Sequence, residues 1–218
     1  MHVETVAVTA DGYFIGFWMN CYILCADEDS QSVVIVDPGG KALKILEAIG
    51  DRAVSAIILT HYHYDHNGAL DGLYDIWSNG TTPIYIHALD YEPLLSELAK
   101  RHRAPERLEA MRRVIKPLKD GDMLEAAGLN LQVMHTPGHS LGSMCLYAKD
   151  AGILLSGDTI FKGTTGRTDL KGGNPRQMYD SLQILATLPD ETLVYPGHEQ
   201  TTTIAFERLW SLIEYELE

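Results

Sequence analysis

Four short segments, spread over more than half of the chain, carry side chains of the kind that hold metal ions. Any fold this sequence adopts has to bring them together. The densest is Thr60-His61-Tyr62-His63-Tyr64-Asp65-His66; the others are Pro137-Gly138-His139, Gly157-Asp158-Thr159 and Pro196-Gly197-His198. Neutral imidazole and carboxylate suit zinc, and also manganese or iron. In extended backbone, residues two apart point the same way, so His61, His63 and Asp65 can converge from one segment while His66 aims at a neighbouring position. A single metal centre takes three or four protein ligands. The seven candidates here exceed that, and two divalent metals roughly 3.5–4 Å apart, sharing one carboxylate, use them all. Each of the three later ligands follows a glycine, which permits a sharp turn and close backbone approach at a strand end.

The remaining pattern predicts the scaffold. Residues 3–8, 20–26, 32–36, 54–60 and 83–87 read as strands, as do 123–126, 129–135, 143–147, 152–156 and 192–195. Helical spacing predicts helices over 41–49, 67–77, 177–188 and 202–216. The last of these presents Phe206, Leu209, Trp210, Ile213 and Leu217 as a face expected to cover the core. Both halves run strands first, then helix and strand. That order suits an α+β fold, a sandwich of two sheets covered by outer helices, with residues 1–218 as one domain. Residues 91–116 read as helix inside a helical, basic insertion at about 88–119. Lys100, Arg101, Arg103, Arg107, Arg112, Arg113, Lys116 and Lys119 lie there, eight of the chain's 17 basic residues. The bland expectation is a solvated pair of helices; the sharper one is a rim that steers an anionic substrate or contacts another subunit.

Composition narrows the partners. A formal net charge of -13 argues against nucleic acid and anionic membranes. No apolar run approaches the ~18–20 residues that span a bilayer, and the first residues lack the basic and apolar pattern of a signal peptide. Cys21, Cys25 and Cys145 are too few, and odd in number, for a disulfide framework. Buried thiols in a reducing cytoplasm are expected. His2, His87, His102 and His135 read as ordinary structural or surface histidines.

The ordered motif set resembles the metallo-β-lactamase fold superfamily over nearly the whole chain. The resemblance runs from Asn20-Cys21-Tyr22 and Val36-Asp37-Pro38-Gly39-Gly40 to Tyr195-Pro196-Gly197-His198. Within it, Gly157-Asp158-Thr159-Ile160-Phe161 and Gly166-Arg167-Thr168-Asp169-Leu170 are similar to the short bacterial glyoxalase II branch, whose members are hydroxyacylglutathione hydrolases. The resemblance implies an αββα sandwich of two mixed sheets flanked by helices. It implies that His61, His63 and His139 hold one metal, that Asp65, His66 and His198 hold the second, and that Asp158 bridges them. Asp37 would orient a ligand imidazole. The expected reaction is hydrolysis of a small anionic thioester, such as an S-2-hydroxyacylglutathione, by a metal-bridging hydroxide. Asp65 would orient that nucleophile; zinc is the expected metal, with iron or manganese compatible.

Single residues weigh the alternatives within this resemblance. Flavodiiron oxygen reductases carry Glu where this chain has His63, and many true β-lactamases carry Cys where it has Asp158. Persulfide dioxygenases use one iron with a subset of these ligands and share a Gly-Arg-Thr-Asp segment; they stand as the alternative, beside hydrolases of other esters or lactones. Long glyoxalase II enzymes carry a C-terminal helical domain, whereas about twenty residues follow His198 here. They also carry a Lys and a Tyr where this chain places Arg167 and Asp169. Arg167 has two readings of equal weight, a bidentate partner for a substrate carboxylate or half of a structural salt bridge.

Overall fold

The computed structural model describes residues 1–9, 18–76, 81–101 and 105–210, and forms two six-stranded mixed sheets. The first half of the chain builds one sheet from β1 (His2–Val8), β2 (Met19–Cys25), β3 (Ser32–Val36), β4 (Ala53–Ile58), β5 (Ile84–His87) and β6 (Ile115–Leu118), adjacent in that order. β1 to β3 are antiparallel and β3 to β6 parallel. The parallel steps require crossovers. These are α1 (Ala42–Ile49), then α2 (Tyr64–Asn67) with α3 (Leu70–Ile76), then α4 (Ala88–Arg101) with α5 (Pro105–Val114). The second half builds the other sheet from β7 (Met123–Ala126), β8 (Leu129–His135), β9 (Met144–Ala148), β10 (Ile153–Gly157), β13 (Leu193–Pro196) and β14 (Thr202–Thr203). Between β10 and β13 come a small hairpin, β11 (Ile160–Phe161) and β12 (Thr164–Thr165), and helix α6 (Pro175–Leu185). Helix α7 (Ile204–Trp210) follows β14.

Side-chain alternation fixes the layers. On β2, Cys21, Ile23 and Cys25 pack with Ile45, Leu70 and Leu94 of the helices, whereas Tyr22 and Leu24 join Leu131, Leu146 and Leu155 of the opposite sheet. β3 repeats this, with Val33 and Ile35 on one side and Val34 and Val36 on the other. In the second sheet, Cys145, Tyr147 and Leu154 turn to Met178, Leu182 and Leu185 of α6. The result is helix, sheet, sheet, helix. A slip of one residue along β2 or β3 would exchange the two apolar layers, which pins the register.

Several sequence expectations are corrected. β4 stops at Ile58, two residues before Thr60. The helical reading of residues 91–116 runs one element too far: α4 and α5 are followed by Ile115–Leu118, which is an edge strand. Pro117 is tolerated there because an edge strand has one unpartnered side. In α7 the buried residues are Ile204 and Glu207, while Phe206, Leu209 and Trp210 are exposed, so the described part of the expected apolar face does not cover the core. Glu207 occupies the buried place because its carboxylate accepts from the Gly163 N–H at 3.0 and 3.1 Å and from the Thr202 hydroxyl at 2.6 Å. Trp77, His102, Arg103, Ile213 and Leu217 lie outside the described residues. All three cysteines are free and buried. No helix among the described residues is long and apolar enough to cross a membrane.

The strand order also positions the site. Asp37 follows β3, Thr60 and His61 follow β4, Asp158 follows β10 and His198 follows β13, so four strands deliver side chains at their carboxyl ends. His139 lies in the connection between β8 and β9. The sheets are tied at this rim. The Asn20 N–H donates to the Gly197 carbonyl at 2.7 Å, and the Tyr22 hydroxyl donates to the Pro196 carbonyl at 2.6 Å.

Candidate metal centre

All seven expected ligands converge on the rim. Their donor atoms fall into three sets, each with its atoms within 4.8 Å of one another: His61, His63 and His139; Asp65, His66 and His198; and His61, His66 and Asp158. Asp158 lies between the other residues. Its Oδ1 is 3.2 Å from His66 Nε2, and its Oδ2 is 3.5 Å from His139 Nε2 and 3.6 Å from His198 Nε2.

Outer partners fix which nitrogen each ring presents. His66 Nδ1 lies 2.9 Å from Asp37 Oδ2, His139 Nδ1 lies 2.7 Å from the Arg167 carbonyl oxygen, and His198 Nδ1 lies 2.8 Å from the Trp18 carbonyl oxygen. These oxygens only accept, so each Nδ1 carries a proton and, in the neutral ring, each Nε2 turns a lone pair inward. Two of these three partners are backbone carbonyls, whose placement no side-chain pattern encodes.

The donor set fits a cation. Among the described residues, His61 Nε2, His66 Nε2 and Asp158 Oδ1 are buried without a well-formed hydrogen bond, the last two facing each other at 3.2 Å, and a buried polar atom that nothing satisfies costs about 1–3 kcal/mol. His63 Nδ1 and His139 Nε2 approach to 2.8 Å. Two imidazole nitrogens tolerate that distance only with a proton or a cation between them.

Protonation follows from burial and neighbours. Burial, and then His66, hold His61 well below the usual imidazole range. Burial, and then His139, bring His63 down to about 4. Burial also opposes charge on His66, but Asp158, Asp37 and Asp65 outweigh it and raise the ring. For Asp158 the balance is reversed: burial pushes the carboxyl up, and His66, His198 and His139 hold it below the usual carboxylate range. Asp65 is lowered in the same way, with His66 and His198 outweighing burial. Neutral His61 and His63 beside ionised Asp65 and Asp158 are the states in which these groups coordinate a metal.

Gly197 shows why a glycine precedes His198. A Cβ there would lie 2.7 Å from His66 Cε1 and closer still to Asp158 Oδ1. The backbone of the His198 loop therefore touches the two residues at the centre.

A cleft of about 720 Å³ opens over these atoms. His63, Asp65, His139, Asp158 and His198 line it together with Tyr62, Tyr64, Phe161 and Leu170. Arg167 is also on its wall, but its Nε and Nη2 donate to the two oxygens of Asp169, each at 2.7 Å. The guanidinium fork is thus occupied by a neighbour. Three further residues were given no place at the site from sequence: Asn67, Asp90 and Arg101, the last counted only within the basic segment. Asp90 and Arg101 act on groups far from their own positions in the chain, which leaves no spacing signal, whereas Asn67 acts four and five residues back. Asn67 Nδ2 donates to the Tyr62 and His63 carbonyls, both at 2.8 Å.

Residues 19–198 match the family model described as the metallo-beta-lactamase superfamily. The probable metallo-hydrolase YqgX of Bacillus subtilis is 37% identical, over 87% of this chain and 89% of its own. A hydroxyacylglutathione hydrolase of Ectopseudomonas mendocina is 37% identical over 82% of this chain, and the match takes in 61% of that protein. Among solved structures, TTHA1623 in a di-iron-bound form aligns with a TM-score of 0.72 at 33% identity, covering 93% of this chain and 96% of that one. The B3 metallo-beta-lactamase BLEG-1 aligns with a TM-score of 0.76 at 29% identity, covering 96% and 100%. With a match that runs from Met19, at the start of β2, to the last of the converging ligands, His198, the chain belongs to the metallo-beta-lactamase superfamily.

Proposed function

We propose that this protein is a dinuclear metallohydrolase of thioesters, such as S-2-hydroxyacylglutathione. His61, His63 and His139 hold one divalent metal, Asp65, His66 and His198 hold the other, and Asp158 is shared. The observation that carries this reading is the convergence of seven donor side chains, with His61 Nε2, His66 Nε2 and Asp158 Oδ1 buried at their centre. Zinc fits the nitrogen-rich set, and iron is compatible with it; the similar protein TTHA1623 has been solved in a di-iron-bound form.

Bound divalent metals supply a Lewis acid for the carbonyl oxygen and lower the pKa of water to ~7. The chain's own residues do the rest. Asp37 and the Arg167 and Trp18 carbonyls hold three rings with Nε2 inward. Asp65 reaches the cleft with an ionised carboxylate and orients the attacking water, accepting its hydrogen bond. Tyr62, Tyr64, Phe161 and Leu170 exclude bulk water around the scissile bond. No serine or cysteine lines this cleft among the described residues, so no acyl-enzyme step is assigned. Arg167 takes a substrate carboxylate only by exchanging Asp169, and Lys171 lies on the same wall. The buried free thiols support a reducing compartment.

Thiol release from S-lactoylglutathione, measured with metal-loaded, chelator-treated and Asp158→Ala protein, tests the proposal. Turnover by the loaded wild type alone is expected. Full turnover by metal-free Asp158→Ala would remove the reading. Oxygen consumption on glutathione persulfide with one iron per chain would favour the dioxygenase alternative instead.

A further inference from the structure

Helix α4 crosses behind the ligand segment and touches it at both ends. Near its start, Asp90 is fully buried, and among the described residues the donors to its carboxylate come from two ligand-bearing loops. Oδ2 accepts from the Tyr62 N–H at 3.2 Å and from the Ser140 hydroxyl at 2.7 Å, and Oδ1 accepts from the Gly142 N–H at 2.8 Å. Tyr62 stands between His61 and His63, and Ser140 follows His139. A Cβ at Gly142 would lie 2.6 Å from Asp90 Cγ, so the His139 loop closes onto the carboxylate only because that residue is glycine.

At the far end of α4, Arg101 donates to the Asn67 side-chain oxygen and lies 3.5 Å from the Asn67 carbonyl. Its guanidinium also stacks 5.0 Å from the centre of the Tyr64 ring and lies 3.8 Å from Asp71. With Oδ1 of Asn67 engaged by Arg101, its Nδ2 is directed at the Tyr62 and His63 carbonyls. The peptide units from His61 through His63 are therefore held on the N–H side by Asp90 and on the carbonyl side by Asn67 with Arg101 behind it. A buried carboxylate is costly to desolvate unless its donors are in place. Here those donors are the backbone and loop that set where His61, His63 and His139 stand.

We propose that Asp90 and Arg101 are positioning residues, a clamp through which α4 sets the geometry and hence the metal affinity of the His61, His63 and His139 set. This rests on the reading of those three residues as metal ligands. It also gives part of the basic segment a role other than steering: Arg101 works inward, on the ligand segment.

The test compares wild type with Asp90→Asn, Arg101→Gln and Arg101→Lys. Metal affinity is read by chelator competition, and backbone protection at Tyr62 by amide hydrogen exchange in the metal-free proteins. Metal-free Asp90→Asn and Arg101→Gln are expected to stay folded by circular dichroism. Their first-metal affinity should fall by about 10–100-fold, and Tyr62 exchange should accelerate about tenfold or more. Arg101→Lys should recover part of the affinity, because it keeps a donor to Asn67 but not the fork. Unchanged affinity and exchange in the folded variants would overturn the proposal. So would collapse of the metal-free fold in Asp90→Asn, which would make the carboxylate an element of the fold itself. Should wild type take up no metal, the ligand reading fails while Tyr62 exchange still decides the clamp.

Discussion

Asp37→Asn separates the two proposed metal positions. The Asp37 carboxylate is buried, with Oδ1 accepting the Thr60 N–H at 2.8 Å and Oδ2 accepting both the Thr60 hydroxyl at 2.7 Å and His66 Nδ1 at 2.9 Å. Its φ of 52° is left-handed, a region that Asn enters as readily as Asp, so the backbone is not disturbed. The amide keeps one acceptor for the Thr60 N–H and places an NH2 where Oδ2 stood. The Thr60 hydroxyl can rotate to accept. His66 can accommodate the NH2 only by accepting at Nδ1, which moves its proton to Nε2, the atom 3.2 Å from Asp158 Oδ1. Loss of one charge-assisted hydrogen bond costs the metal-free fold about 1.5–3 kcal/mol. The metal held by Asp65, His66 and His198 weakens about 10–100-fold, equivalent to about 1.4–2.8 kcal/mol. The metal at His61, His63 and His139 should weaken less, because that set is linked to Asp37 only through the Thr60 hydroxyl, which lies 3.2 Å from His61 Nδ1, and not by a direct bond to one of its rings. Chelator competition at about pH 8, where protons compete least, resolves the two affinities; urea unfolding of the metal-free protein measures the fold. Two unchanged affinities, or equal weakening of both, would refute the tautomer argument.

Three further outcomes are expected. Gly197→Ala forces a Cβ against His66 and Asp158, so it should lower metal content below wild type and cost the metal-free fold about 1–3 kcal/mol by overpacking; full metal content at wild-type stability would contradict the close approach. Asp169→Asn releases Arg167 from its bidentate pair and should lower KM severalfold for thioesters with an acidic tail and not for uncharged ones; the same KM for both classes would end the case for Arg167 as an anchor. His87 stacks on His135 with ring centroids 4.0 Å apart, and burial followed by His135 brings it down to about 4. Below its ordinary value of about 6.5 the unfolded chain takes that proton first, so stability is full above about pH 6.5 and is lost as pH falls towards about 4. Metal-free wild type should therefore lose more thermal stability between about pH 7 and pH 5 than His87→Phe; equal losses would show that the pair does not sense acid.

The converging side chains were legible because metal chemistry demands particular donor types, and the His61–His66 segment concentrates four of them. The strands were legible where apolar layers lie on both faces, as at Val33–Val36. The closing helix was not. Phe206, Leu209 and Trp210 have helical spacing, but periodicity identifies a face without saying whether anything packs on it, and Glu207 takes the buried position through three hydrogen bonds. The basic segment divides: Lys100, Arg112, Arg113, Lys116 and Lys119 are exposed, as a solvated face would be. Arg101 and Arg107 turn inward onto Asn67, Tyr64, the Asp71 carbonyl and the Tyr74 ring, and a count of charges carries no direction. Asp90 was invisible because its partners lie 28, 50 and 52 residues away.

The central claim is that two metals share Asp158. Equilibrium dialysis of the metal-free protein against zinc, with bound metal counted per chain in wild type and Asp158→Ala, tests it most directly. The account predicts two equivalents in wild type and fewer in the variant. One equivalent in wild type, or two retained by Asp158→Ala, would contradict it.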